Sequence, residues 1–194
     1  MSIVIRERRA ADLPELADVL AAQQAATGYP VRWPLPIPVE DFLVRPGEEQ
    51  AWVAELEGRV VGHVAVYSLG GPLRDAFVEG AGTDALAELA VLFVGGDVVG
   101  TGVGGLLLDT AVASIRASGR QPVLDVVPTH DRALAIYLHR GWTVIGEAHV
   151  PFLGPDRPLV LMTLDADRTG TPGGGGGGGR GGHPRRRRRR GGGG

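Results

Sequence analysis

The stretch ELAVLFVGGDVVGTGVGG, residues 88–105, decides how this chain folds around a ligand. Its first part, Leu89 to Val94, is an apolar run of the length expected for a buried strand. The glycine-rich segment VGTGVG follows at residues 99–104, and an apolar helical segment begins at Leu106. Because the first amides of a helix lack intrahelical partners and its dipole favours negative charge there, this order predicts a site for a phosphorylated ligand.

Two common phosphate-binding motifs fit this stretch poorly. A P-loop needs a lysine, and all twenty basic residues of the chain are arginines. The dinucleotide pattern G-x-G-x-x-G is literally present at residues 100–105. However, it lies in the middle of the chain after two hairpin-like strands, and no acidic residue ends a second strand about 20 residues further on, as that fold requires. The glycine pattern alone therefore does not identify the ligand.

Two motifs in a fixed order give a more specific indication. The first follows the pattern E-L-x-x-L-x-V-x-P-x-x-R-G-x-G-x-G, and it is matched by Glu88, Leu89, Leu92, Val94, Gly100, Gly102 and Gly104. The second is a strand, an N-x-x-A turn and Y-x-x-x-G-F, and it is matched by Leu124, Val126, Ala133, Tyr137, Gly141 and Trp142. Together they resemble the acyl-CoA-binding core of the GNAT superfamily of N-acyltransferases, and the resemblance extends more weakly over residues 3–165.

The resemblance and the periodicity of the chain imply one α/β (α+β) fold, a mixed, largely antiparallel central sheet flanked by helices. We expect an N-acyltransferase domain over residues 1–168 and a disordered Gly/Arg-rich tail over residues 169–194. The predicted strands are residues 2–6, 51–56, 60–67, 88–94, 123–127, 143–145 and 159–164. The predicted helices are a first one from about Asp12 and others at residues 39–43, 106–117 and 132–140, and a glycine-rich loop is expected up to about residue 84.

The tail has a high density of positive charge. From Pro172 onward the chain is nearly all glycine and arginine, with seven arginines and no acidic residue, which leaves 13 arginines against 22 acidic residues in the rest. A segment without apolar residues cannot offset its ordering entropy, so disorder is expected. Six consecutive arginines, Arg185–Arg190, can bind phosphate polymers, so nucleic acid is a possible partner through the tail alone. An unselected low-complexity extension is the alternative.

Composition narrows the location of the protein. The chain has no cysteine, which excludes disulfides and thiolate metal sites. It has no 18-residue apolar run, and its first residues lack the apolar segment of a signal peptide. We therefore expect a cytoplasmic protein without a membrane partner and without a metal, either monomeric or homodimeric.

The resemblance assigns chemical roles to particular residues. Tyr137 is the expected general acid, since it matches a tyrosine whose hydroxyl lies near the thioester sulfur in the family; a core aromatic is the alternative. Glu88 is the expected general base, because it begins the central strand, where burial would raise the pKa of a carboxyl. A solvated charge is the alternative there. His63 is a weaker candidate base, and a structural role is the more common one for such a residue.

The same resemblance predicts where acetyl-CoA, the expected co-substrate, would bind. The pantetheine arm would pair with the backbone of the central strand, and the pyrophosphate would lie on the amides of the glycine turn. The predicted residues are Leu92, Phe93, Val94, Val99, Gly100, Thr101, Gly102, Val103, Gly104, Gly105 and His130. Val99 replaces a frequent Gln or Arg, Gly96 a frequent Pro and His130 a frequent Asn, so some polar contacts of the family are missing here.

The expected activity is the transfer of an acetyl group from acetyl-CoA to a primary amine of a small molecule or a protein. The alternative is a catalytically weak or inactive acyl-CoA-binding module of the same fold. In the family the acceptor is chosen by loops that correspond to residues 23–43, which include Tyr29 and Trp33, and to residues 69–85. The acidic domain favours a cationic acceptor.

Overall fold

A computed structural model describes residues 2–165 of the chain. The proposed boundary at residue 168 and the arginine-rich tail lie outside this range. The strands are β1 (Ile3–Glu7), β2 (Glu48–Leu56), β3 (Arg59–Ser68), β4 (Leu86–Val94), β5 (Gln121–Val126), β6 (Thr143–Ala148) and β7 (Leu159–Thr163). The α-helices are α1 (Leu13–Thr27), α2 (Val39–Leu43), α3 (Arg74–Ala81), α4 (Val103–Ala117) and α5 (Asp131–His139).

The seven strands form one sheet in the order β1-β2-β3-β4-β5-β7-β6. Every neighbouring pair is antiparallel except β4 and β5, which are parallel and are connected through α4. Parallel neighbours require such a crossover, whereas the antiparallel pairs on either side need only short turns. The predicted mixed, largely antiparallel sheet flanked by helices is confirmed.

Helices cover both faces of the sheet. On one face α4 buries an apolar stripe at helical spacing, with Leu107, Ala111 and Ile115 fully inaccessible to solvent. The opposite face carries two separate apolar clusters. One joins α1 and α2 to β2, β3 and β4 through Leu16, Leu20 and Leu43, and the other joins α3 to β5 and β7 through Phe77.

The predicted loop before β4 was wrong in one respect. Residues Arg74–Ala81 form the helix α3, which buries Phe77 completely against the sheet. Glycines on both sides of the apolar positions led to the prediction of a loop. In the structure one of these glycines, Gly82, ends the helix with φ 70°. Helix α4 also begins at Val103, three residues earlier than predicted, because Gly102 caps it with φ 92°.

Strand β4 contains a bulge near its carboxyl end. His63 pairs with Phe93 and Ala65 pairs with Ala90, so two residues of β4 lie opposite one residue of β3. Val91 absorbs the extra length with φ 53°, a left-handed conformation that a β-branched residue rarely adopts. The strain of this conformation must be offset by the surroundings.

The buried side chain of His63 holds the bulge in place. Its Nδ1 lies 2.9 Å from the carbonyl oxygen of Val91, and its Nε2 lies 3.1 Å from Nη1 of Arg8. Because a guanidinium only donates, Nε2 must accept, so the ring proton is on Nδ1 and is donated to Val91. Arg8 is fixed in turn by an ion pair with Glu48 and a 3.0 Å hydrogen bond to the carbonyl of Leu43. Burial lowers the pKa of His63 to about 4, which keeps the ring neutral.

We expect His63→Leu to lower the free energy of unfolding at pH 8 by about 1–3 kcal/mol, because it leaves the buried carbonyl of Val91 without a donor. The folded-state pKa of His63 lies below its ordinary value of 6.5, so the parent loses stability as the pH falls from 6.5 toward 4. The difference between parent and variant should therefore shrink over that range in urea titrations. His63→Asn, which keeps a donor, is the control. An equal difference at pH 8 and pH 4.5 would contradict this role.

Candidate active site

The parallel strands β4 and β5 separate soon after they begin. Their register includes only three pairs, from Leu86 opposite Gln121 to Glu88 opposite Val123. Beyond Glu88, residues 89–94 pair with β3 on one side and have no strand partner on the other among the described residues. The backbone groups on that open edge include those of Leu92, Phe93 and Val94, which the sequence predicted as the place where an extended ligand pairs.

The glycine turn lies at the end of this open edge. Gly100 and Gly102 have φ values of 84° and 92°, which only glycine adopts without strain, and Thr101 donates from Oγ1 to the carbonyl of Val98 at 2.7 Å. A Cβ at either glycine would meet no atom within 4 Å, so the outer side of the turn is open. The amides of the first turn of α4, at Val103, Gly104 and Gly105, have no acceptor in the part of the chain that the structure describes. Together with the helix dipole, these donors suit an anion.

A row of polar side chains crosses the face of the sheet that carries α1, α2 and α3. The register places Glu48 opposite Tyr67 and Tyr67 opposite Glu88, so neighbouring strands present them on one face. The hydroxyl of Tyr67 donates to Oε2 of Glu48 at 3.4 Å. Asp125 joins this row, because it lies two residues beyond Val123, the partner of Glu88 on β5.

The two carboxyl groups of β4 and β5 are both less acidic than usual. Burial raises the pKa of Glu88 to about 7, and the charge of Asp125 adds to the effect, while Arg45 opposes it. Burial likewise raises the pKa of Asp125, again opposed by Arg45. A carboxyl group that titrates near neutral pH can accept a proton from an amine, which fits the role predicted for Glu88.

Tyr137 reaches the same region from α5. Its ring packs against Trp142, with 5.8 Å between the ring centroids, and against the core on the α4 side of the sheet. Burial raises the pKa of Tyr137 above its usual range, and Tyr29 and Asp125 contribute to that rise. The charge of Asp125 therefore acts on both Glu88 and Tyr137, the residues predicted as base and acid.

His130 makes a contact within the protein. Its Nε2 lies 3.2 Å from the carbonyl oxygen of Gly28, and its ring lies 6.1 Å from that of Tyr29. Tyr29 also packs edge-on against Phe42 at 6.0 Å. The histidine therefore connects the β5–α5 loop to the end of α1 and places Tyr29 at the site. Trp33, in the loop that follows α1, is 37% exposed.

The sequence analysis missed two charged residues of this region, Asp125 and Arg45. The signal for Asp125 was present, since it is an acidic residue between buried Leu124 and Val126 on a short strand. Arg45 gave no such signal, because it follows α2 in an irregular segment and reaches the site only through tertiary packing.

Within residues 2–165, no group of three or more His, Asp or Glu side chains is arranged to hold a metal ion. None of the helices in that range has the length and apolar character needed to span a bilayer.

Comparisons with solved structures identify the fold. The chain resembles the ribosomal-protein-S18-alanine N-acetyltransferase from Escherichia coli, with a TM-score of 0.62 and 15% identity over 88% of this chain and 99% of that one. It also resembles PaiA N-acetyltransferase from Thermoplasma acidophilum in complex with coenzyme A, with a TM-score of 0.60 and 16% identity over 84% and 99%. A third is yncA, a putative acetyltransferase from Salmonella typhimurium with its cofactor acetyl-CoA, with a TM-score of 0.61 and 19% identity over 89% and 99%.

A sequence comparison with curated proteins finds no significant match. The model of the acetyltransferase (GNAT) family, however, matches residues 16–142, which include β4, the glycine turn, β5 and α5. This match covers well over half of the chain, and the fold agrees with it. The protein therefore belongs to the GNAT family of acetyltransferases.

Proposed function

We propose that the protein transfers an acetyl group from acetyl-CoA to a primary amine of a small molecule or a protein. The observation that carries this proposal is the opening between β4 and β5, which has a helix start with free amides at one end and two half-buried carboxyl groups at the other. Such a site offers separate places for the phosphates, for an extended thioester arm and for the amine.

Acetyl-CoA would occupy the open edge and the glycine turn. The pyrophosphate would accept hydrogen bonds from the amides of Val103, Gly104 and Gly105, with the loop at Val99, Gly100, Thr101 and Gly102 shaping the approach. The pantetheine arm would pair with the backbone at Leu92, Phe93 and Val94. The two relatives solved with coenzyme A or acetyl-CoA support this choice of co-substrate. The contact of His130 with Gly28 leaves it a supporting role.

The reaction moves two protons. The amine nitrogen attacks the thioester carbonyl carbon, a C–N bond forms and the C–S bond breaks. Glu88 would take the proton that the amine loses, directly or through water, because its carboxyl is ionised above about pH 7. Tyr137 would give its proton to the departing thiolate. Its raised pKa keeps the hydroxyl protonated at neutral pH.

A competing function is an acyl-CoA-binding module without turnover. Val99 supplies no polar side chain at the position proposed for the phosphates. The Nε2 atom of His130 already forms a hydrogen bond with the carbonyl of Gly28. A screen of primary amines with acetyl-CoA and a thiol reporter separates the two functions. Thiol release that depends on the amine supports the transferase. Thermal stabilisation by CoA without such release for any amine would favour the module.

The glycine turn should control CoA affinity. We expect Gly104→Val to weaken CoA binding by about tenfold or more, because a branched side chain would stand where the amides must face phosphate. Gly104→Ala is the matched control, since its Cβ would lie 3.7 Å from Cγ1 of Val94, an ordinary contact. It should keep the fold and lose less affinity. Calorimetric titration with CoA gives the affinities, and equal binding by folded Gly104→Val and the parent would refute the assignment.

Tyr137→Phe should slow acetyl transfer while it leaves acetyl-CoA affinity largely intact. The substitution removes the proton donor but keeps the ring that packs against Trp142. General acid catalysis contributes about 10²–10⁴-fold, so a decrease of at least about tenfold is expected where chemistry limits the rate. Pre-steady-state transfer is the measurement, because product release can mask the effect. An unchanged single-turnover rate would leave Tyr137 as a core aromatic.

Glu88→Gln should remove an ionisation near pH 7 from the pH dependence of kcat/KM and lower the rate by about 10²–10⁴-fold. The folded-state pKa lies above the ordinary value of 4.5, so the parent loses stability as the pH rises from about 4.5 to about 7. Glutamine does not titrate, so the variant should gain stability relative to the parent between pH 5 and pH 8. Glu79→Gln, on the exposed side of α3, is the control. A rate profile that keeps its inflection in Glu88→Gln would exclude this base.

A further inference from the structure

Arg45 is held in a fixed position beside the carboxyl row. Its guanidinium carbon lies 4.3 Å from the centroid of the Phe42 ring, and its Nε donates to the carbonyl oxygen of Phe42 at 3.0 Å. Phe42 in turn packs against Tyr29 at 6.0 Å. Stacking and one hydrogen bond at Nε fix the plane of the guanidinium. The hydroxyl of Tyr29 is a further hydrogen-bonding partner of this side chain, and the Nη donors that Tyr29 does not use can bind an anion.

Two arginines of β1 and the segment that follows it are already paired with carboxylates. Arg8 is paired with Glu48, and Arg6 is paired with Asp12 and Glu55. Arg45 is half-buried, and among residues 2–165 no carboxylate lies within ion-pairing distance of it. A half-buried guanidinium with a preorganised fork and no anion is suited to bidentate binding of a carboxylate.

Arg45 nevertheless acts electrostatically on the site. It lies three residues before Glu48, the first member of the row that continues through Tyr67 and Glu88. It opposes the rise in the pKa of both Glu88 and Asp125, and it opposes the rise for Tyr29, which burial raises to about 12. The guanidinium therefore acts on the two carboxyl groups without forming an ion pair with either among residues 2–165, so a ligand with both an amine and a carboxylate would complement these opposite charges.

From this arrangement we infer that the acceptor is a small molecule that carries a carboxylate beside its primary amine, as an α-amino acid does, and that Arg45 selects it by binding that carboxylate. The amine is directed to Glu88 and Asp125, and the carboxylate to the Nη groups of Arg45. The inference rests on the proposed acetyl transfer, and it specifies the substrate class of the same site. It disfavours polyamines and the lysine side chains of proteins, which have no carboxylate next to the reactive amine.

Matched acceptor pairs test this inference. Each pair consists of an amino acid and the amine that remains when its carboxylate is removed, such as phenylalanine with 2-phenylethylamine and leucine with 3-methylbutylamine. The two members share the side chain and the primary amine. For the full-length parent we expect kcat/KM to favour the amino acid of at least one pair by about 10- to 100-fold, the range of a charge-assisted hydrogen-bonded contact.

Variants at position 45 assign the preference to the arginine. Arg45→Gln should bring the ratio of the two kcat/KM values close to one, and Arg45→Lys, which keeps the charge but not the fork, should recover part of it. The ratio is the correct measure because loss of Arg45 also changes the ionisation of Glu88 and Asp125 for every acceptor. Arg74→Gln, at an exposed arginine on α3, is the matched control and should keep the parental ratio. Thermal unfolding of each variant verifies that it folds.

The outcomes separate this inference from the proposed function. Transfer to amines with no preference for the carboxylate in any pair, or a ratio unchanged in Arg45→Gln, overturns the role of Arg45 and leaves acetyl transfer in place. The absence of transfer to any acceptor overturns the proposed function. In that case, calorimetric titration of the CoA-saturated protein with the amino acids decides the inference. Binding that Arg45→Gln abolishes supports it, and no binding overturns it.

Discussion

The separation of β4 from β5 is the constraint on which the rest of the structure depends. Parallel neighbours normally share a continuous ladder, and here the ladder ends after three pairs. The separation leaves backbone groups of β4 free along one edge, and buried polar backbone groups must find partners. It also places the starts of α4 and α5 on the two sides of one opening, as at the carboxyl ends of strands in other α/β sheets.

The bulge in β4 is maintained from a distance. Val91 tolerates its left-handed conformation because the neutral ring of His63 donates to its carbonyl, and His63 is oriented by Arg8. Glu48 then links this buried network to the polar row through Tyr67. The hydrogen-bonded network that shapes the strand therefore extends to Tyr67, which lies opposite Glu88 in the register of β3 and β4.

The site combines groups that are separately costly to bury. Burial raises the pKa of both Glu88 and Asp125, the charge of Asp125 adds to the rise for Glu88, and the positive charge of Arg45 limits the rise for both. Arg45 is supported by an aromatic ring, and no carboxylate within residues 2–165 neutralises it. An arrangement of this kind leaves unsatisfied charge for a ligand to complete, which is the physical basis of both proposals made for this site.

The sequence alone determined the local features of the protein. Apolar periodicity placed all seven strands and four of the helices approximately, and glycine spacing placed the glycine turn, because these signals depend on neighbouring residues. The pattern around Glu88 and Tyr137 was also local.

Only the tertiary structure decided which side chains meet. Helix α3 depends on burial of Phe77 against strands that follow it in the chain, and the bulge at Val91 depends on a histidine 28 residues earlier. Arg45 precedes β2 and its charge acts on Asp125 of β5, so this effect is a property of the sheet order, which no local pattern encodes.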